Sequence, residues 1–281
     1  MKQLTQKELQ ALSLEILKDV DAFCKANGIR YSMAYGTLLG AVRHKGFIPW
    51  DDDVDIVMLR EDYERFCHEY KSDRFELFPS AGNSENAYVA YARVADMEDT
   101  ESRTYIPWAR TQDQGVRIDV FPLDYAPDDE QEQRLQYKLF CTLYDFSNRV
   151  RKANVKSIPG LPLKFHLKRL VHSNSFNRRL ARQSAEEVAG WLEYLMRKLG
   201  STPTKHLSQY ACPDRNICEW FDVEDFENLV ELPFEDSSFS APANYDKVLK
   251  VWFGDYMQLP PKKDRKWRSL SYIRLFWKRK K

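Results

Sequence analysis

The sequence has no long apolar run, few cysteines and almost no net charge. No stretch of 18 or more consecutive apolar residues occurs, so we predict no membrane-spanning helix. The five cysteines are scattered and odd in number, which favours reduced thiols over a disulfide framework. The 43 Lys and Arg residues nearly balance the 42 Asp and Glu residues, so the overall charge indicates no particular class of partner.

The first twenty residues contain neither an apolar h-region nor a small-residue cleavage site, so we predict no secretory signal and a cytoplasmic protein. A hydrophobic content of 43% with 30% charged residues excludes a disordered or fibrous chain. The sequence contains no internal repeats. At 281 residues, the chain is long enough for one sizeable core, with or without a helical appendage.

The apolar pattern divides the chain into three segments. Residues 1–127 alternate predicted helices with short predicted strands, which is typical of an α/β catalytic core. Residues 128–230 are predicted to form a mainly helical, substrate-binding insertion, and its stretch 149–182 contains no acidic residue. Residues 231–281 contain a predicted helix over 245–253 and a basic tail, and we expect this segment to pack on the first.

The strongest chemical signal is an aspartate run that leads directly into apolar residues. On a strand, alternate side chains share a face, so Asp53 and Asp55 face one way while Val54 and Ile56 face a core. Two such carboxylates repel each other, and Mg²⁺ or Mn²⁺ bound between them would remove the repulsion. The alternative is a solvated acidic turn. An EF-hand loop does not fit, because the required Gly and Glu are missing.

A third carboxylate, Asp119, is flanked by apolar residues on the predicted strand 115–121. If this strand neighbours the first in one sheet, the three carboxylates reproduce the arrangement that two-metal phosphoryl transfer requires. The alternative is an edge-strand aspartate that faces water. Asp51 lies on the loop before the strand, so we expect its replacement to have a milder effect.

Residues that suit phosphate binding precede the aspartates. Gly36 and Thr37 stand where a predicted strand turns into a helix, and backbone N–H groups at a helix start can hold phosphate oxygens. The basic run that follows suits a polyphosphate, or it simply balances the aspartates. We predict substrate contacts from Gly36, Thr37, Arg43, His44, Lys45 and Trp50.

These motifs together resemble a known family. The run 35–56, from Tyr-Gly-Thr to Trp-Asp-Asp-Asp-Val-Asp-Ile, closely resembles the signature of the LicD family, which groups bacterial phosphocholine transferases with the fukutin-related proteins. Residues 117–124 resemble the strand that carries the third carboxylate of that family, and residues 231–262 are similar to its C-terminal motif. Residues 126–230 show no such resemblance.

The resemblance implies a nucleotidyltransferase-like fold: a small mixed sheet flanked by helices, with a helical insertion. It also implies transfer of phosphocholine, or a related phospho-alcohol, from a CDP-activated donor to a sugar hydroxyl, with release of CMP. The usual donor is CDP-choline, and the usual acceptors are teichoic-acid precursors, capsule or lipopolysaccharide glycans.

Carried over by position, Asp53 and Asp55 would hold the metal ions, and Gly36 and Thr37 would hold the donor phosphates. Asp119 would complete the metal site and orient or deprotonate the acceptor hydroxyl. Two alternatives remain on the same fold. One is transfer of NMP onto a sugar, antibiotic or protein, and the other is a binding protein without catalysis.

The basic tail, residues 262–281, carries interleaved aromatic residues. A helix here places Trp267, Leu270, Ile273 (or Arg274) and Trp277 on one face, which suits the interface of an anionic membrane. Contact with the inner face of a membrane would serve a lipid-linked acceptor. The alternative is a tail whose aromatics pack onto the domain. Nucleic-acid binding is not expected, because no accompanying motif supports it.

Overall fold

The computed structural model describes residues 2–80, 89–104, 114–153, 184–266 and 273–278. This part of the chain contains seven α-helices and a short 3₁₀ turn at Lys262–Asp264. The helices are α1 (Gln6–Asn27), α2 (Tyr35–His44), α3 (Arg60–Glu69), α4 (Glu130–Ala153), α5 (Ala185–Leu199), α6 (Glu224–Glu227) and α7 (Tyr245–Phe253). The strands are β1 (Ser32–Met33), β2 (Asp55–Leu59), β3 (Glu76–Phe78), β4 (Ala92–Ala95), β5 (Thr100–Thr104), β6 (Arg117–Ala126), β7 (His206–Ser208), β8 (Phe221–Asp222), β9 (Leu229–Phe234), β10 (Ser237–Pro242) and β11 (Ile273–Trp277).

Seven of these strands form one mixed sheet. The order is β1-β2-β6-β4-β3, and β7 pairs with the far end of β6 and carries β8 on its other side. Strands β2 and β6 run parallel, while the other pairs are antiparallel. The predicted α/β class with a mixed sheet is confirmed, and the fold is nucleotidyltransferase-like. Because β6 has paired neighbours along its whole length, it forms the centre of the sheet.

The first helix shows how the sequence sets the boundaries of an element. Helix α1 begins with the predicted capping box, in which the Thr5 hydroxyl accepts from the Glu8 N–H and the Glu8 carboxylate accepts from the Thr5 N–H. It ends at Gly28, whose φ of 61° lies in the left-handed region that glycine adopts without a steric cost. Its buried face includes Ile16 and Val20, and the helix contacts β6. The end of helix α1 and its buried face therefore both follow the sequence pattern.

The segment 128–230 supplies helices α4 and α5 and also strands β7 and β8. Its buried side chains, such as Phe140 and Met196, belong to the same apolar cluster as those of the first segment. The division into three domains stays a prediction, since this core runs through all three segments.

A buried ion-pair network fixes α5 to the sheet. The Arg60 guanidinium, directly after β2, donates to Asp124 on β6 at 2.7 Å and to Glu193 on α5 at 2.8 Å. The side chains of Asp124 and Glu193 are fully buried, so loss of Arg60 would leave two buried carboxyl groups without this partner. The end of β2 is thus tied to the helical segment.

Side chains of the C-terminal segment contact side chains of the first segment. Phe234, at the end of β9, packs edge-on against Phe47 with ring centroids 4.8 Å apart. The Glu235 carboxylate in the following turn accepts a hydrogen bond from the Phe47 N–H at 2.8 Å. On α7, Trp252 packs against Tyr35 of α2 with ring centroids 4.4 Å apart. No helix within the described ranges is long and apolar enough to cross a membrane.

The predicted helix in the basic tail is wrong for residues 273–277, which form β11 and pair antiparallel with β5. Leu275 and Trp277 alternate onto one face and pack on the core, and the Trp277 indole N–H donates to Glu8 at 3.4 Å. The other edge of β11 is paired too, because the Leu4 N–H donates to the Leu275 carbonyl. The predicted side chains Trp267 and Leu270 lie outside the described residues. Since Trp277 is engaged with α1, it is not free to enter a membrane.

Deleting residues 273–281 is therefore expected to destabilise the protein. Loss of the β5–β11 pairing and of two partly buried apolar side chains should lower the free energy of unfolding by about 2–4 kcal/mol. Urea unfolding followed by circular dichroism measures this loss. Deletion of residues 279–281 alone, which leaves β11 intact, is the control. Equal midpoints for the longer deletion and the full chain would contradict the structural role.

Candidate active site

The sheet register brings two of the predicted aspartates and an arginine side by side. Asp55 on β2 is paired in register with Asp119 on β6, and Asp119 is paired in register with Arg93 on β4. The Asp119 N–H also donates to the Val54 carbonyl at 2.9 Å, so the pairing continues to the start of β2. The predicted proximity of the two aspartate-bearing strands is confirmed.

Thr37 holds the Asp55 backbone in place. Its hydroxyl accepts a hydrogen bond from the Asp55 N–H at 2.9 Å, and its side chain is buried. The hydroxyl is therefore engaged inside the protein, and the contact of Gly36 and Thr37 with donor phosphates stays a prediction. Thr37 connects the first turn of α2 to the strand that carries the carboxylates.

Thr37→Val is expected to lower stability and to reduce activity. The valine has the same shape but leaves the Asp55 N–H without its acceptor, which costs about 1–3 kcal/mol for a buried donor. Thr37→Ser keeps the hydroxyl and serves as the matched control. Thermal unfolding and turnover of the three proteins check the role, and equal values for the valine and serine variants would count against it.

Asp51 belongs to the carboxylate cluster, contrary to the expectation of a peripheral role. One carboxylate oxygen from each of Asp51, Asp52 and Asp53 lies within 4.8 Å of the others. Asp51 also lies directly over Gly36, where any Cβ would overlap its carboxylate. The Gly36 backbone and Asp51 are thus neighbours in the cleft. The aspartate run contained this signal, but the position of the loop above α2 depends on the fold.

The carboxyl groups of Asp51, Asp53 and Asp55 are difficult to ionise together. Burial, followed by the charge of Asp53, raises the pKa of Asp51 to about 7. Removal from water and the charge of Asp119 raise the pKa of Asp53. Burial and the charges of Asp53 and Asp119 raise the pKa of Asp55 well above its usual value. Each carboxylate therefore raises the energetic cost of charging its neighbours.

This donor set fits a hard divalent cation. All the groups offer oxygen atoms, which Mg²⁺ and Mn²⁺ prefer, and a bound cation would offset their mutual repulsion. Surrounding protein atoms shield both carboxyl groups in part, but Asp53 and Asp55 keep solvent-accessible surface, so an ion can reach them. Of the predicted metal ligands Asp53, Asp55 and Asp119, Asp53 belongs to the close group of carboxylate oxygens, whose other members are Asp51 and Asp52. The predicted ligand set stays a prediction.

Two arginines hold Asp119 and were not found from the sequence. The Arg93 guanidinium donates to Asp119 at 3.1 Å and to the Tyr91 hydroxyl at 2.7 Å. Arg117 forms a longer ion pair with Asp119, at 3.8 Å. Arg93 is buried, so its positive charge needs the Asp119 carboxylate and the Tyr91 hydroxyl to replace its contacts with water. The available signal was an arginine within the apolar pattern of β4, which is unusual for a central strand.

A cleft of about 540 Å³ opens beside the cluster and contains several predicted substrate contacts. Gly36, Arg43, Trp50 and Asp53 all line it. The Arg43 guanidinium donates to the Tyr256 carbonyl at 2.6 Å, which connects α2 to the C-terminal segment across the cleft. The cleft thus joins carboxylates, an arginine and aromatic side chains in one place.

His44 and Lys45, which were also predicted to contact the substrate, do not line this cleft. His44 packs edge-on against Trp50, and burial followed by the Arg43 charge lowers the pKa of its imidazole. Lys45 is exposed and ends α2 in the left-handed conformation, with a φ of 61°. Its carbonyl accepts a hydrogen bond from the Glu235 N–H at 2.9 Å. The backbone of Lys45 therefore has a structural role at the helix end.

Glu219 is a buried carboxyl group in the cleft wall that the sequence did not indicate. The Tyr35 hydroxyl donates to it at 3.0 Å. Burial raises the pKa of Glu219 from 4.5 to about 8, while the nearby Tyr35 and Trp252 side chains act in the opposite direction. Nothing local marks this residue, since its environment is assembled from distant parts of the chain.

The raised pKa of Glu219 predicts a pH dependence of stability. The protonated form stabilises the fold, and this contribution is fully present below the unfolded pKa of about 4.5 and lost as the pH rises through about 8. Glu219→Gln should remove this dependence, so the variant should gain stability relative to the wild type over that range. Urea midpoints between about pH 5 and pH 9 measure the difference. Glu227→Gln, at an exposed position, is the control, and parallel profiles for all three proteins would contradict the prediction.

Comparison with known proteins identifies the family of the chain. The model of the LicD/FKTN/FKRP nucleotidyltransferase domain matches residues 28–166, which include the aspartate strands, α2 and the start of the helical segment. The chain belongs to this family. The LicD family is also the one that the aspartate motif resembles.

Individual relatives extend the LicD assignment beyond the matched domain. The lipopolysaccharide cholinephosphotransferase LicD of Haemophilus influenzae is 29% identical over 285 aligned residues, which cover 95% of this chain and 96% of that protein. The ribitol 5-phosphate transferases FKRP of human and mouse are 46% identical over 48 residues, covering 17% of this chain and 10% of each relative. The similarity to that LicD protein therefore runs along nearly the whole chain.

Proposed function

We propose that the chain transfers phosphocholine from CDP-choline to a hydroxyl group of a cell-surface glycan or teichoic-acid precursor and releases CMP. The observation that carries this proposal is the meeting of Asp51, Asp53 and Arg43 in one cleft next to Asp55 and Asp119. The similarity to a cholinephosphotransferase along nearly the whole chain supports this choice of transferred group.

The reaction would move one phosphoryl-linked alcohol. The acceptor hydroxyl oxygen forms a bond to the phosphorus that carries the alcohol, the bond from that phosphorus to the bridging oxygen breaks, and CMP leaves with the electron pair. The hydroxyl proton passes to a base. A bound Mg²⁺ or Mn²⁺ would supply stabilisation of the negative charge on the phosphate oxygens.

The protein groups would divide the remaining tasks. Asp53 and Asp55 would hold the metal, and Asp51 would add a third carboxylate at the mouth of the cleft. Arg43 would contact donor phosphates, since it lines the cleft and its guanidinium is held at the Tyr256 carbonyl. Asp119, fixed by Arg93, would orient or deprotonate the acceptor hydroxyl.

Product mass tests the proposal. The protein is incubated with CDP-choline, Mg²⁺ and a lipopolysaccharide or teichoic-acid precursor that lacks phosphocholine, and the Asp55→Asn variant is the matched control. The expected product is heavier by one phosphocholine group, with an equal amount of CMP released. A product that gains a nucleotide instead would favour NMP transfer. Failure of every CDP-alcohol to raise the melting temperature with Mg²⁺ would favour a non-catalytic protein.

A further inference from the structure

The aspartate run lies in the loop that connects α2 to β2, residues 45–54. One carboxylate oxygen from each of Asp51, Asp52 and Asp53 lies within 4.8 Å of the others. Negative charges this close repel each other until a cation binds between them, and the repulsion favours opening of the loop. The loop therefore needs contacts that hold it closed before the cation arrives.

The first part of the loop is held by the hairpin of β9 and β10. The Glu235 carboxylate accepts from the Phe47 N–H at 2.8 Å, and the Glu235 N–H donates to the Lys45 carbonyl at 2.9 Å. A Cβ at Gly46 would lie 2.2 Å from the Glu235 carboxylate, so glycine is what allows this close approach. These contacts end at Phe47, before the aspartate run begins.

The second part of the loop is held by two glutamines of α1. The Gln6 side-chain amide donates to the Pro49 carbonyl and to the Asp51 carbonyl, both at 3.0 Å. The Gln10 side-chain amide donates to the same Asp51 carbonyl at 2.8 Å. An amide group has two N–H donors and a carbonyl oxygen has two lone pairs, so the Gln6 amide and the Asp51 carbonyl are both fully used. Gln6 and Gln10 can share this acceptor because residues four apart lie on one face of a helix.

These contacts fix the backbone of Asp51 on both sides. Its N–H donates to the Ile48 carbonyl at 2.9 Å, and its carbonyl accepts from the two glutamines. The carboxylate of the same residue lies against Gly36 at the start of α2. The glutamine amides bond to carbonyl oxygens, so they hold the loop without occupying the carboxylate oxygens that a cation needs.

We propose that Gln6 and Gln10 are positioning residues for the candidate metal site, and that they keep the aspartate run closed by holding the Asp51 carbonyl. The inference rests on the proposed function, in which the cation takes part. Groups that hydrogen-bond around a metal site orient its ligands, and their loss typically weakens metal affinity or activity by about 10–100-fold. Helix α1 precedes residues 28–166, which match the family domain, so the site of this domain is supported from outside the matched residues.

The test measures affinity for Mn²⁺ from the electron paramagnetic resonance signal of the free ion, with and without CDP-choline. Gln6→Met and Gln10→Met keep the length of each side chain and remove its N–H donors. Each variant should bind Mn²⁺ several-fold more weakly than wild type, and the double variant should lose about 10–100-fold. Lys7→Met, at an exposed position of the same helix, is the matched control and should bind as wild type does.

Transfer kinetics separate positioning from general support of the fold. In the double variant, the Mg²⁺ concentration for half-maximal transfer should increase by about 10–100-fold. Turnover at saturating Mg²⁺ should stay within about twofold of wild type, because the bound cation then holds the carboxylates together. A variant that is merely unstable would lose turnover at every Mg²⁺ concentration.

The possible failures are distinguishable. Equal Mn²⁺ affinity for wild type and the double variant would overturn the inference and leave the proposed metal site in place. A large decrease in the melting temperature without metal, together with lost turnover at saturating Mg²⁺, would assign the glutamines to stability of the fold and would also overturn it. If wild type binds no Mn²⁺ with or without CDP-choline, the proposed metal chemistry fails and the inference fails with it.

Discussion

Asp55→Asn is expected to reduce transfer by at least about 100-fold at saturating Mg²⁺, and Asp53→Asn should do the same. Both residues belong to the cluster that would hold the metal, and asparagine removes the charge while keeping the shape. The variants should remain folded. Because burial and neighbouring charges raise the pKa of Asp55, its neutral replacement should make the metal-free protein more stable, with the larger gain at higher pH.

The stabilisation that Mg²⁺ gives to the wild type should disappear in the Asp55 variant. Melting temperatures with and without Mg²⁺ measure this effect, and turnover is measured on the same samples. Asp51→Asn should also lose activity, since its carboxylate lies within the cluster. Near wild-type turnover of either the Asp53 or the Asp55 variant would show that these residues do not hold a metal.

Asp119→Asn is expected to reduce turnover by a factor of about 100 or more. The amide oxygen still accepts from Arg93, so the protein should fold with a small loss of stability. Asp119→Ala leaves the buried Arg93 with the Tyr91 hydroxyl as its remaining partner and should be destabilised further, by about 1–3 kcal/mol. The pair of variants separates the chemical role of Asp119 from its role in holding Arg93.

The kinetic pattern distinguishes two roles for Asp119. If Asp119 acts on the acceptor, donor affinity and the Mg²⁺ concentration for half-maximal activity should change little while turnover falls. A large increase in the Mg²⁺ requirement would make it a further metal ligand. Equal turnover for wild type and Asp119→Asn, with Arg93 still buried, would remove this residue from the proposed mechanism.

The sequence was sufficient where the signal was local. The apolar residues around Asp55 and Asp119 predicted two core strands, and a sheet that contains both needed only one pairing to bring the carboxylates together. The helix over 245–253 was predicted with its observed bounds, because apolar periodicity and Gly254 mark it within a few residues. These features depend on neighbours in the chain.

The missed residues depend on distant parts of the chain. Arg93 reaches Asp119 only through the antiparallel register of β4 and β6, and no spacing in the sequence specifies that register. Glu219 is paired with Tyr35, which is 184 residues away in the sequence. A lone glutamate in a loop-like segment carries no sign of burial, so such a partner cannot be deduced from local pattern.

The error in the tail has a different origin. Leu275 and Trp277 alternate with Arg274 and Phe276, which is the period of a strand, while the wider basic region suggested a helix with one apolar face. A shorter window would have indicated β11. What it could not indicate is the partner strand, because β5 lies far earlier in the chain.

The pairing of β11 with β5 has a consequence for biosynthesis. Residues Thr100–Thr104 leave the ribosome long before Ile273–Trp277 do, so one edge of β5 has no native partner while most of the chain is made. An unpaired strand edge can associate with other chains. The early part of the protein should therefore depend on chaperones until synthesis reaches the tail, and aggregation of nascent chains should be highest in truncations that end before β11.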